Sequence, residues 1–480
     1  MRHIIVGILM SLIGIGQLFA QTYTARLPYY SPTSKLATGK WVKIGVSENG
    51  VYKITFEKLR SLGFSDPSKV RVYGYGGWLL SELLNSNYND DLPEVNSYLG
   101  DSYILFYGVG AAKLVKHNGD NPFKVEKNPY ADKGYYFLSD VEGVRREVEL
   151  APAVTEDADV VKRTHYAVGC YMPEKVNPHK RGKTFYDVAI VKEGNKNVSF
   201  PYDYMVEGNN GFLSVEFFVD GLGANDSYSC TVSTPTQTFK PGGSIFTVSN
   251  VYQSSTNSGL DFSLAFKTPN SLGAFYLYKV TSTALCYNKL YAGYLNFNNL
   301  NDDNIGYVNE YVVSNVTAST QVWNVTDPLN VSKMTTMLDG DSLRFKAVTS
   351  TFSEFIAFNP NSTEFCTVDS YSEVNNQDLH AFNGADLVII SPDKYKEQAQ
   401  RLADAHSYYE GISCYVLNQD VIFNEFSSGT PDPTAIRSFL KMMYDRGVND
   451  NKYVAPRYLL LFGDGSYDNR GVSKPVGSVD

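Results

Sequence analysis

The residues best suited to chemistry lie in a glycine-rich, acidic turn near the end of the printed sequence. Gly463, Asp464, Gly465 and Asp468 come directly after a short apolar run at 458–462. A carboxylate at the end of a buried strand can line a ligand site, cap its own turn or bind calcium. Asp464 is therefore our strand-end candidate, with turn capping at least as well supported as catalysis. We predict no cofactor, and calcium only in a structural role.

Other groups of polar residues are weaker candidates. Carboxylate pairs at 302–303 and 339–341 have the residue types for glycoside hydrolysis, and the pair at 90–91 has those for calcium, but acidic residues are ordinary in loops. The basic run at 179–183 could touch an anionic lipid or sugar, although a solvated loop is the better interpretation. His406 fits a hydrogen-bonded core histidine, and His165 and His380 stand alone in the sequence.

The cysteines do not form a recognisable site. They are five in number and widely separated: Cys170, Cys230, Cys286, Cys366 and Cys414. Without a Cys-x-x-Cys motif a zinc site is not expected. Disulfides among the first four are permitted by export but not favoured. Cys414 lies inside a predicted buried strand, so we interpret it as a small core residue rather than a nucleophile, which needs exposure and a basic neighbour.

The elements that would position the acidic turn alternate strand and helix. Apolar runs at 386–391, 413–417 and 458–463 indicate buried strands. Ser391-Pro392 and Asp432-Pro433 each predict a helix start, and Gly411 and Gly447 the helix ends. The apolar face of the first helix is predicted to carry Tyr395, Ala399, Leu402, His406 and Tyr409. Such alternation implies parallel pairing, with ligands beyond the strands' carboxyl ends, at 463–468 and in the loop 418–431.

The same stretches carry a family resemblance. Segments 385–392, 424–437 and 458–465 resemble the opening of a gingipain-type cysteine peptidase domain, and the middle one is closer to the type IX secretion sortases, or C-terminal signal peptidases (PorU-type). Segments 50–54 and 71–77 resemble the amino-terminal region of the same proteins. The short alternating strands before residue 373 predict a sandwich or a barrel, and we favour β-sandwich-like modules. They are followed by the first βαβαβ half of a parallel α/β domain, which the resemblance implies to be caspase/gingipain-like.

The family's catalytic Cys and His follow the Gly-Asp turn. No matching Gly-His or Ala-Cys motif occurs in the sequence, so both residues are expected beyond Asp480 and no catalytic residue is carried over. The 480-residue chain alone is then expected to be an inactive fragment.

The implied function is a secreted cysteine endopeptidase and transpeptidase. It would cleave C-terminal sorting domains from type IX secretion cargo and transfer the cargo to a surface lipopolysaccharide. Its partners would be those cargo proteins, together with outer-membrane β-barrel and surface proteins of the secretion system. The alternative is a non-enzymatic surface adhesin, or interaction protein, with a degenerate α/β unit.

The amino terminus has the pattern of a secretory signal peptide. A charged start is followed by an uncharged apolar run at 4–19, and cleavage is predicted between Ala20 and Gln21. The run is shorter than the ~20 residues that a spanning helix needs. Export follows from this pattern, and the family resemblance implies the outer membrane or cell surface as the destination. The net charge of −9 makes nucleic acid an unsuitable partner.

The length predicts about three domains after the signal peptide. With 36 Tyr and 27 Phe the chain is rich in residues that suit β-sheets. We predict a signal peptide at 1–20, a β-rich domain at 21–160 and an all-β, sandwich-like domain at 161–372. A linker at 373–377 then leads to the truncated α/β domain at 380–480. In the first domain, strands at 41–46 and 50–54 are predicted to be joined by a tight turn at 47–50.

Overall fold

The computed structural model describes residues 30–83, 89–116, 123–208, 210–222, 226–234, 238–239, 245–252, 259–300, 305–349 and 352–472. The predicted signal peptide and its cleavage site at Ala20 and Gln21 lie outside these residues, as does the acidic pair at 302–303. Within them the protein is β-rich and multidomain, with few helices. The domain bounds given above stay a prediction.

The elements fall into four groups along the chain. The first group is β1 (Trp41–Val46), β2 (Gly50–Thr55), α1 (Phe56–Ser61), β3 (Arg71–Tyr73), β4 (Ser97–Leu99), β5 (Tyr103–Gly108), β6 (Ala112–Lys116), β7 (Phe123–Lys127) and β8 (Gly134–Ser139). The second is β9 (Val160–Lys162), β10 (Thr164–Tyr171), β11 (Ile190–Val191), β12 (Glu193–Phe200), β13 (Asn210–Asp220), β14 (Ser229–Ser233), β15 (Thr238–Phe239), β16 (Ile245–Tyr252), β17 (Leu260–Lys267) and β18 (Ala274–Tyr287).

The third group is β19 (Tyr294–Asn298), β20 (Val308–Ser314), β21 (Gln321–Asn324), β22 (Ser332–Lys333), β23 (Met337–Asp339), β24 (Ser342–Val348), β25 (Glu354–Phe358) and β26 (Ser370–Val374). The fourth is β27 (Leu387–Ile390), α2 (Lys396–Glu410), β28 (Cys414–Leu417), α3 (Gln419–Phe426), α4 (Pro433–Asn449) and β29 (Tyr458–Leu461). Single-turn 3-10 helices lie at Lys35–Ala37, Pro67–Lys69 and Asp393–Tyr395.

The first module packs two antiparallel sheets on a common core. Their strand orders are β26-β1-β8-β3 and β2-β5-β4. A short connection does join β1 to β2 as expected, but the two strands do not pair as a hairpin, because β1 pairs with β8 and β26 while β2 pairs with β5 in the other sheet. Strand β26 also shows that the predicted linker at 373–377 begins inside a sheet. The chain therefore returns to its first module after more than 200 intervening residues.

Two further pairs of sheets lie between 159 and 358. The first sandwich combines β10-β18-β13-β16 with β12-β17-β14-β15, and the second combines β19-β25-β21-β22 with β23-β24-β20-β9. Each has its own apolar core, so the region predicted as one all-β unit contains two packing centres. A third core joins the first module to the second sandwich, where Val51 and Leu105 pack with Trp323, Ile356 and Phe358.

The last unit is a three-stranded parallel sheet with the order β28-β27-β29. Val388 pairs with Tyr415, and Ile389 with Leu460. Leu387 and Ile389 pack against Ala399 and Ala403 of α2 on one face. The opposite face of β27 packs against α3 and α4, in a cluster that includes Val388, Ile390, Ile422, Phe426, Phe439 and Met443. The sheet is therefore covered by helices on both sides.

Some of the predicted helix signals are confirmed and others are wrong. Asp432 accepts a hydrogen bond from the Thr434 N–H as the N-cap of α4, and Gly411 ends α2 with φ +67°. Ser391 does not cap a helix: its Oγ donates to the Pro392 carbonyl at 3.1 Å, and its N–H extends the sheet by donating to the Leu417 carbonyl at 3.0 Å. A 3-10 turn intervenes, and α2 begins only at Lys396. Its buried residues are Ala399 and Ala403, whereas Tyr409 is 81% exposed.

Gly447 was expected to end its helix, but α4 continues to Asn449. Glycine is required at position 447 for a different reason. A Cβ at this position would lie 2.2 Å from the Ala455 backbone nitrogen and 2.6 Å from its Cα, so the chain that leads to β29 passes directly against the helix. No helix in the described part of the chain has the length and apolar character needed to span a membrane.

Replacing Gly447 by Ala tests this close approach. In an open helix the change stabilises by about 1 kcal/mol, but here the methyl group would displace the backbone at Ala455, and we expect a loss of about 1–3 kcal/mol. The free energy of unfolding from urea titration measures it. Val448→Ala, at an exposed neighbouring position, is the control and should be neutral or slightly stabilising. A stabilised Gly447→Ala variant would contradict the packing described.

Candidate active site

The connections of the parallel sheet define where a site can form. The chain leaves β27 through α2 on one face and reaches β28; it then returns through α3 and α4 on the other face to β29. The connection that leaves β27 and the connection that arrives at β29 therefore lie on opposite faces, and the strand order reverses between these two neighbours. In open parallel sheets a crevice for ligands lies at the carboxyl ends of the strands at such a switch point. The residues at its edge are Ser391 and Pro392 after β27, and residues 463–466 after β29.

The two strand ends stay close together at this crevice. The Phe462 N–H donates to the Ile390 carbonyl at 2.8 Å, which extends the ladder one residue past β29. Gly463 then adopts φ +146°, and a Cβ there would lie 3.9 Å from Pro392 Cδ. Glycine suits this turn because an L side chain rarely adopts such a φ.

Asp464, the candidate from the sequence, is exposed beside the crevice. Its Oδ1 accepts a hydrogen bond from the Gly465 N–H at 2.9 Å, so the carboxylate caps its own turn. Asp468 is 6% exposed, and its Oδ1 accepts from the Val472 N–H at 2.8 Å. The geometry leaves the outer Asp464 oxygen available to a ligand, while Asp468 serves the loop itself.

The loop 418–431, the second predicted ligand region, has a different role. It contains α3, and residues 427–432, here called the docking loop, insert into the first module. Ser428 Oγ donates to the Tyr135 carbonyl at 2.8 Å and accepts from the Tyr75 N–H at 3.0 Å. Thr430 Oγ1 donates to the Gly76 carbonyl at 3.0 Å. The motif that carries the family resemblance therefore holds two domains together instead of lining an open edge.

Lys43 completes this contact from the first module. Its Nζ donates to the Gly429 carbonyl at 2.7 Å and to Asn424 Oδ1 at 3.2 Å, and it lies 4.4 Å from the centre of the Tyr135 ring. Burial lowers the pKa of Lys43 to about 8, although the charge of Asp420 opposes the change. A Cβ at Gly429 would lie 2.5 Å from Lys43 Cε, so the loop approaches as closely as glycine permits.

A buried charged pair inside the α/β unit, His380 with Glu425, also reaches the first module through Asp90. His380 Nδ1 lies 2.6 Å from Glu425 Oε2, and His380 Nε2 lies 2.9 Å from the Asp90 carbonyl oxygen. Both His380 and Glu425 have fully buried side chains, and the imidazole stacks on Phe426 at 4.8 Å. Burial alone would lower the pKa of His380, but the hydrogen bonds to Asp90 and Glu425 raise it to about 10. His380, which stands alone in the sequence, is therefore paired in the fold.

The cysteines in the β modules are not activated. Burial raises the pKa of Cys230 to about 11, that of Cys286 to about 12 and that of Cys366 to about 11. A nucleophilic cysteine requires a shift in the opposite direction. Cys414 lies partly exposed in β28, where it contributes to the core beneath α2 as a small residue.

The remaining sequence candidates have structural partners. Asp339 pairs with Arg344 at 2.8 Å on an exposed hairpin, and His406 contacts Glu410 one helical turn away at 2.9 Å. The carboxylates at 90–91 accept backbone N–H groups near the start of the described chain, including that of Lys35 at 2.6 Å from Asp91. Among the described residues there is no group of three or more potential metal ligands.

A separate cavity of about 780 Å³ lies between the first module and both sandwiches. Its lining includes Tyr107, His165, Tyr294 and Glu354, but none of the crevice residues. Burial raises the pKa of Glu354 to about 7, despite the nearby charge of Lys113. The cavity and the crevice are therefore different places in the molecule.

Comparisons with known proteins found a match to the α/β unit that contains the crevice and a match along most of the chain. Residues 380–478 match the model of peptidase family C25. A crystal structure of dimeric latent PorU from Porphyromonas gingivalis matches with a TM-score of 0.82 and 27% identity, over 92% of this chain and 43% of that one. The resemblance to the gingipain-type cysteine peptidases is confirmed. The chain spans less than half the length of that PorU structure.

Other comparisons add nothing to this result. A structure of FLHE matches with a TM-score of 0.18 and 7% identity, over 26% of this chain and 99% of that one. A structure of infectious bursal disease virus, Gx strain, matches with a TM-score of 0.15 and 9% identity, over 79% of this chain and 76% of that one. No curated protein matches the chain.

The buried His380–Glu425 pair predicts a specific pH dependence. Because the pKa of His380 rises on folding from about 6.5 to about 10, its contribution is fully present below pH 6.5 and is lost as the pH rises through 10. The contribution of Lys43 to stability has the opposite pH dependence, because its lowered pKa disfavours the folded state below about pH 8. Comparing wild type with His380→Gln cancels the Lys43 contribution.

We expect wild type to be more stable than His380→Gln near pH 6.5, by on the order of a few kcal/mol. The difference should shrink toward pH 10. Urea unfolding of both proteins at matched ionic strength provides the measurement. A difference that stays constant or grows between these pH values would show that the imidazolium is not what stabilises the pair.

Asp464→Ala tests the turn-capping role of the candidate carboxylate. Because the side chain bonds the Gly465 N–H, we expect the substitution in the complete protein to lower folding yield as much as activity. Soluble yield and peptide turnover, compared with Asp464→Asn, measure both effects. A normally folded Asp464→Ala variant with no turnover would instead indicate direct participation in catalysis.

Proposed function

We propose that this chain is the amino-terminal portion of an exported, cell-surface cysteine peptidase and transpeptidase. Its cargo would be proteins with C-terminal sorting domains, delivered by a type IX secretion system, and its acceptor a surface lipopolysaccharide. The observation that carries the proposal is the match to PorU along 92% of the chain, joined with the family C25 match at 380–478. The cleavage, the acceptor and the location at the outer membrane go beyond that match and are parts of the proposal.

The chemistry proposed is acyl transfer. A thiolate attacks the carbonyl carbon of the scissile peptide, a histidine moves the proton to the leaving amine, and backbone N–H groups stabilise the oxyanion. Attack by water on the thioester gives cleavage, whereas attack by an amine gives ligation. In the proposal, the Cys and His are supplied by polypeptide beyond Asp480 and meet the substrate at the crevice between β27 and β29.

The form of the parallel sheet supports this arrangement. Strand β27 is buried and paired on both sides, but the side chains of Tyr458, Leu459 and Leu461 in β29 are 55%, 44% and 61% exposed. An apolar strand with that exposure at a sheet edge is suited to receive another strand. We propose that further parallel strands pair there and bring the catalytic residues to the same carboxyl edge.

The β modules have a supporting role in this proposal. The docking loop and the hydrogen bond between His380 and the Asp90 carbonyl fix the α/β unit on the first module, and that module shares an apolar core with the second sandwich. A rigid platform of this kind suits an enzyme that must hold a large folded cargo beside a partner on the cell surface. The partners proposed are outer-membrane β-barrel and surface proteins of the same system.

The test compares the 480-residue chain with the longer protein that the proposal describes, in which the polypeptide continues past Asp480. Both are incubated with a cargo protein that carries its sorting domain, and cleavage is followed by mass spectrometry. The longer protein is assayed over a dilution series, because the related PorU structure is dimeric and latent. Parallel samples are pretreated with iodoacetamide, which alkylates a reactive thiol.

We expect the longer protein to release the sorting domain and iodoacetamide to abolish the release, while the 480-residue chain shows no turnover. An amine acceptor should appear as a mass added to the new carboxyl terminus. If the folded longer protein shows no cysteine-dependent cleavage at any dilution, the alternative is favoured: a non-enzymatic surface protein with a degenerate α/β unit. Turnover by the 480-residue chain would contradict the placing of the nucleophile.

A further inference from the structure

The loop that follows β29 ends in an unusual anchor. Residues 463–472, here called the strand-end loop, begin at the crevice, where residues 463–466 are exposed. Six residues after Asp464 the chain reaches Arg470, whose side chain is only 3% exposed. A guanidinium is costly to bury unless its charge and its N–H groups are matched. The side chains that surround Arg470 therefore show how the loop is anchored to the rest of the protein.

Arg470 is held by two carboxylates from different parts of the β region. Its Nη1 donates to Asp132 Oδ1 at 2.6 Å and to Glu174 Oε2 at 3.2 Å, and its Nη2 donates to Glu174 Oε1 at 2.9 Å. The contact with Glu174 thus uses both terminal nitrogens and both oxygens, the strongest form of this pair. The guanidinium also lies 5.4 Å from the centre of the buried Phe185 ring.

Lys127 completes the cluster and balances its charge. Its Nζ pairs with Glu174 and lies 3.3 Å from Asp132 Oδ1. Two cations therefore face two carboxylates, and Glu174 is only 11% exposed. Asp132 is 54% exposed, so the contact of Arg470 with Glu174 is the directional one that salt screens weakly, whereas an exposed pair contributes little.

The cluster lies where three parts of the molecule meet. Lys127 and Asp132 belong to the first module, between or at the ends of β7 and β8. Glu174 and Phe185 belong to the segment that follows β10 of the first sandwich. Glu174 adopts φ +42°, a conformation that a non-glycine residue keeps only when its surroundings hold it. Arg470 inserts between these parts from the α/β unit.

We propose that Arg470 is a positioning residue that clamps the strand-end loop onto the junction of the first module and the first sandwich, and so fixes residues 463–466 at the crevice. The clamp makes the loop conformation depend on how these two β modules are arranged. A shift of either module would release Arg470 and change the conformation of residues 463–466 at the crevice. For catalysis, this inference rests on the function proposed above; for the loop itself, it does not.

The first measurement uses the 480-residue chain and needs no activity. Hydrogen exchange of the amides at 463–472 is followed in wild type, Arg470→Gln, Arg470→Lys, Glu174→Gln and the double variant Arg470→Gln/Glu174→Gln. Arg457→Gln is the matched control, since Arg457 also pairs with an aspartate, Asp386 at 2.9 Å, but is 55% exposed. Thermal unfolding of each variant reports on the global fold.

We expect Arg470→Gln to speed exchange in the loop by about tenfold or more, while the amides of β27 and β28 stay protected. Arg470→Lys should retain part of the protection, because it keeps the charge but not the forked contact. The double variant should exchange no faster than Arg470→Gln, since the two residues act as one pair. Arg457→Gln should leave the loop unchanged. Unchanged loop exchange in a folded Arg470→Gln protein would overturn the proposal.

The second measurement uses the longer protein and cargo cleavage. We expect Arg470→Gln to lower kcat by about tenfold or more with a smaller change in KM, because the loop would be misplaced rather than missing. Arg470→Lys should recover part of the loss. If wild type cleaves and Arg470→Gln cleaves equally well, the positioning role is wrong. If wild type does not cleave at all, the proposed function fails, and the exchange experiment still decides on the clamp.

Discussion

The arrangement of the site depends on one buried strand that pairs in parallel on both sides. All of β27 is buried, and its neighbours β28 and β29 run in the same direction with no shift of register along its four residues. Parallel neighbours cannot be joined by tight turns, so helices must cross over the sheet faces. Because α2 crosses one face and α3 with α4 the other, the strand order reverses between β27 and β29, and the crevice lies at their carboxyl ends. Its position follows from the topology, whereas the conformation of residues 463–466 at its edge is proposed to depend on Arg470.

A second constraint is the attachment of this sheet to the β modules. The docking loop, Lys43 and the His380–Glu425 pair lie on one side of the α/β unit, and Arg470 lies beyond its carboxyl edge. The unit is therefore held at two places. At the first, neutral contacts of Ser428 and Thr430 with backbone groups lie beside the charged Lys43 and the His380–Glu425 pair. At the second, the Arg470 cluster has four matched charges and joins the unit to the junction of the first module and the first sandwich, so a change in that junction would break it.

Local features of the fold could be predicted from the sequence, whereas long-range pairings could not. Asp432 and Gly411 act as a helix cap and a helix end because their effect depends only on adjacent residues. The turn signal at 47–50 predicted that β1 and β2 form a hairpin, which is wrong. Nothing in the two strands reveals that their partners are β8 and β5. The docking loop was expected at the ligand edge because its partner Lys43 is 386 residues away from Gly429. His380 stood alone for the same reason.

At the candidate site, the sequence revealed the Gly-Asp turn, whereas only the structure revealed the role of Arg470. The resemblance pointed to the family whose model matches residues 380–478 and to the Gly-Asp turn, because several short motifs in a fixed order can be recognised in a single sequence. The role of Arg470 had no signal, since one arginine in a polar loop looks like any solvated residue. Its importance follows only from Asp132, Glu174 and Phe185, which three separate segments bring together around the guanidinium.

The most direct test of the account is a structure of the longer protein covalently trapped by a cargo-derived peptide that reacts with its catalytic thiol. The account predicts that the peptide lies across the carboxyl ends of β27 and β29 and contacts the chain at 391–392 and 463–465. A trapped peptide in the cavity between the β modules, or anywhere remote from these strand ends, would contradict it.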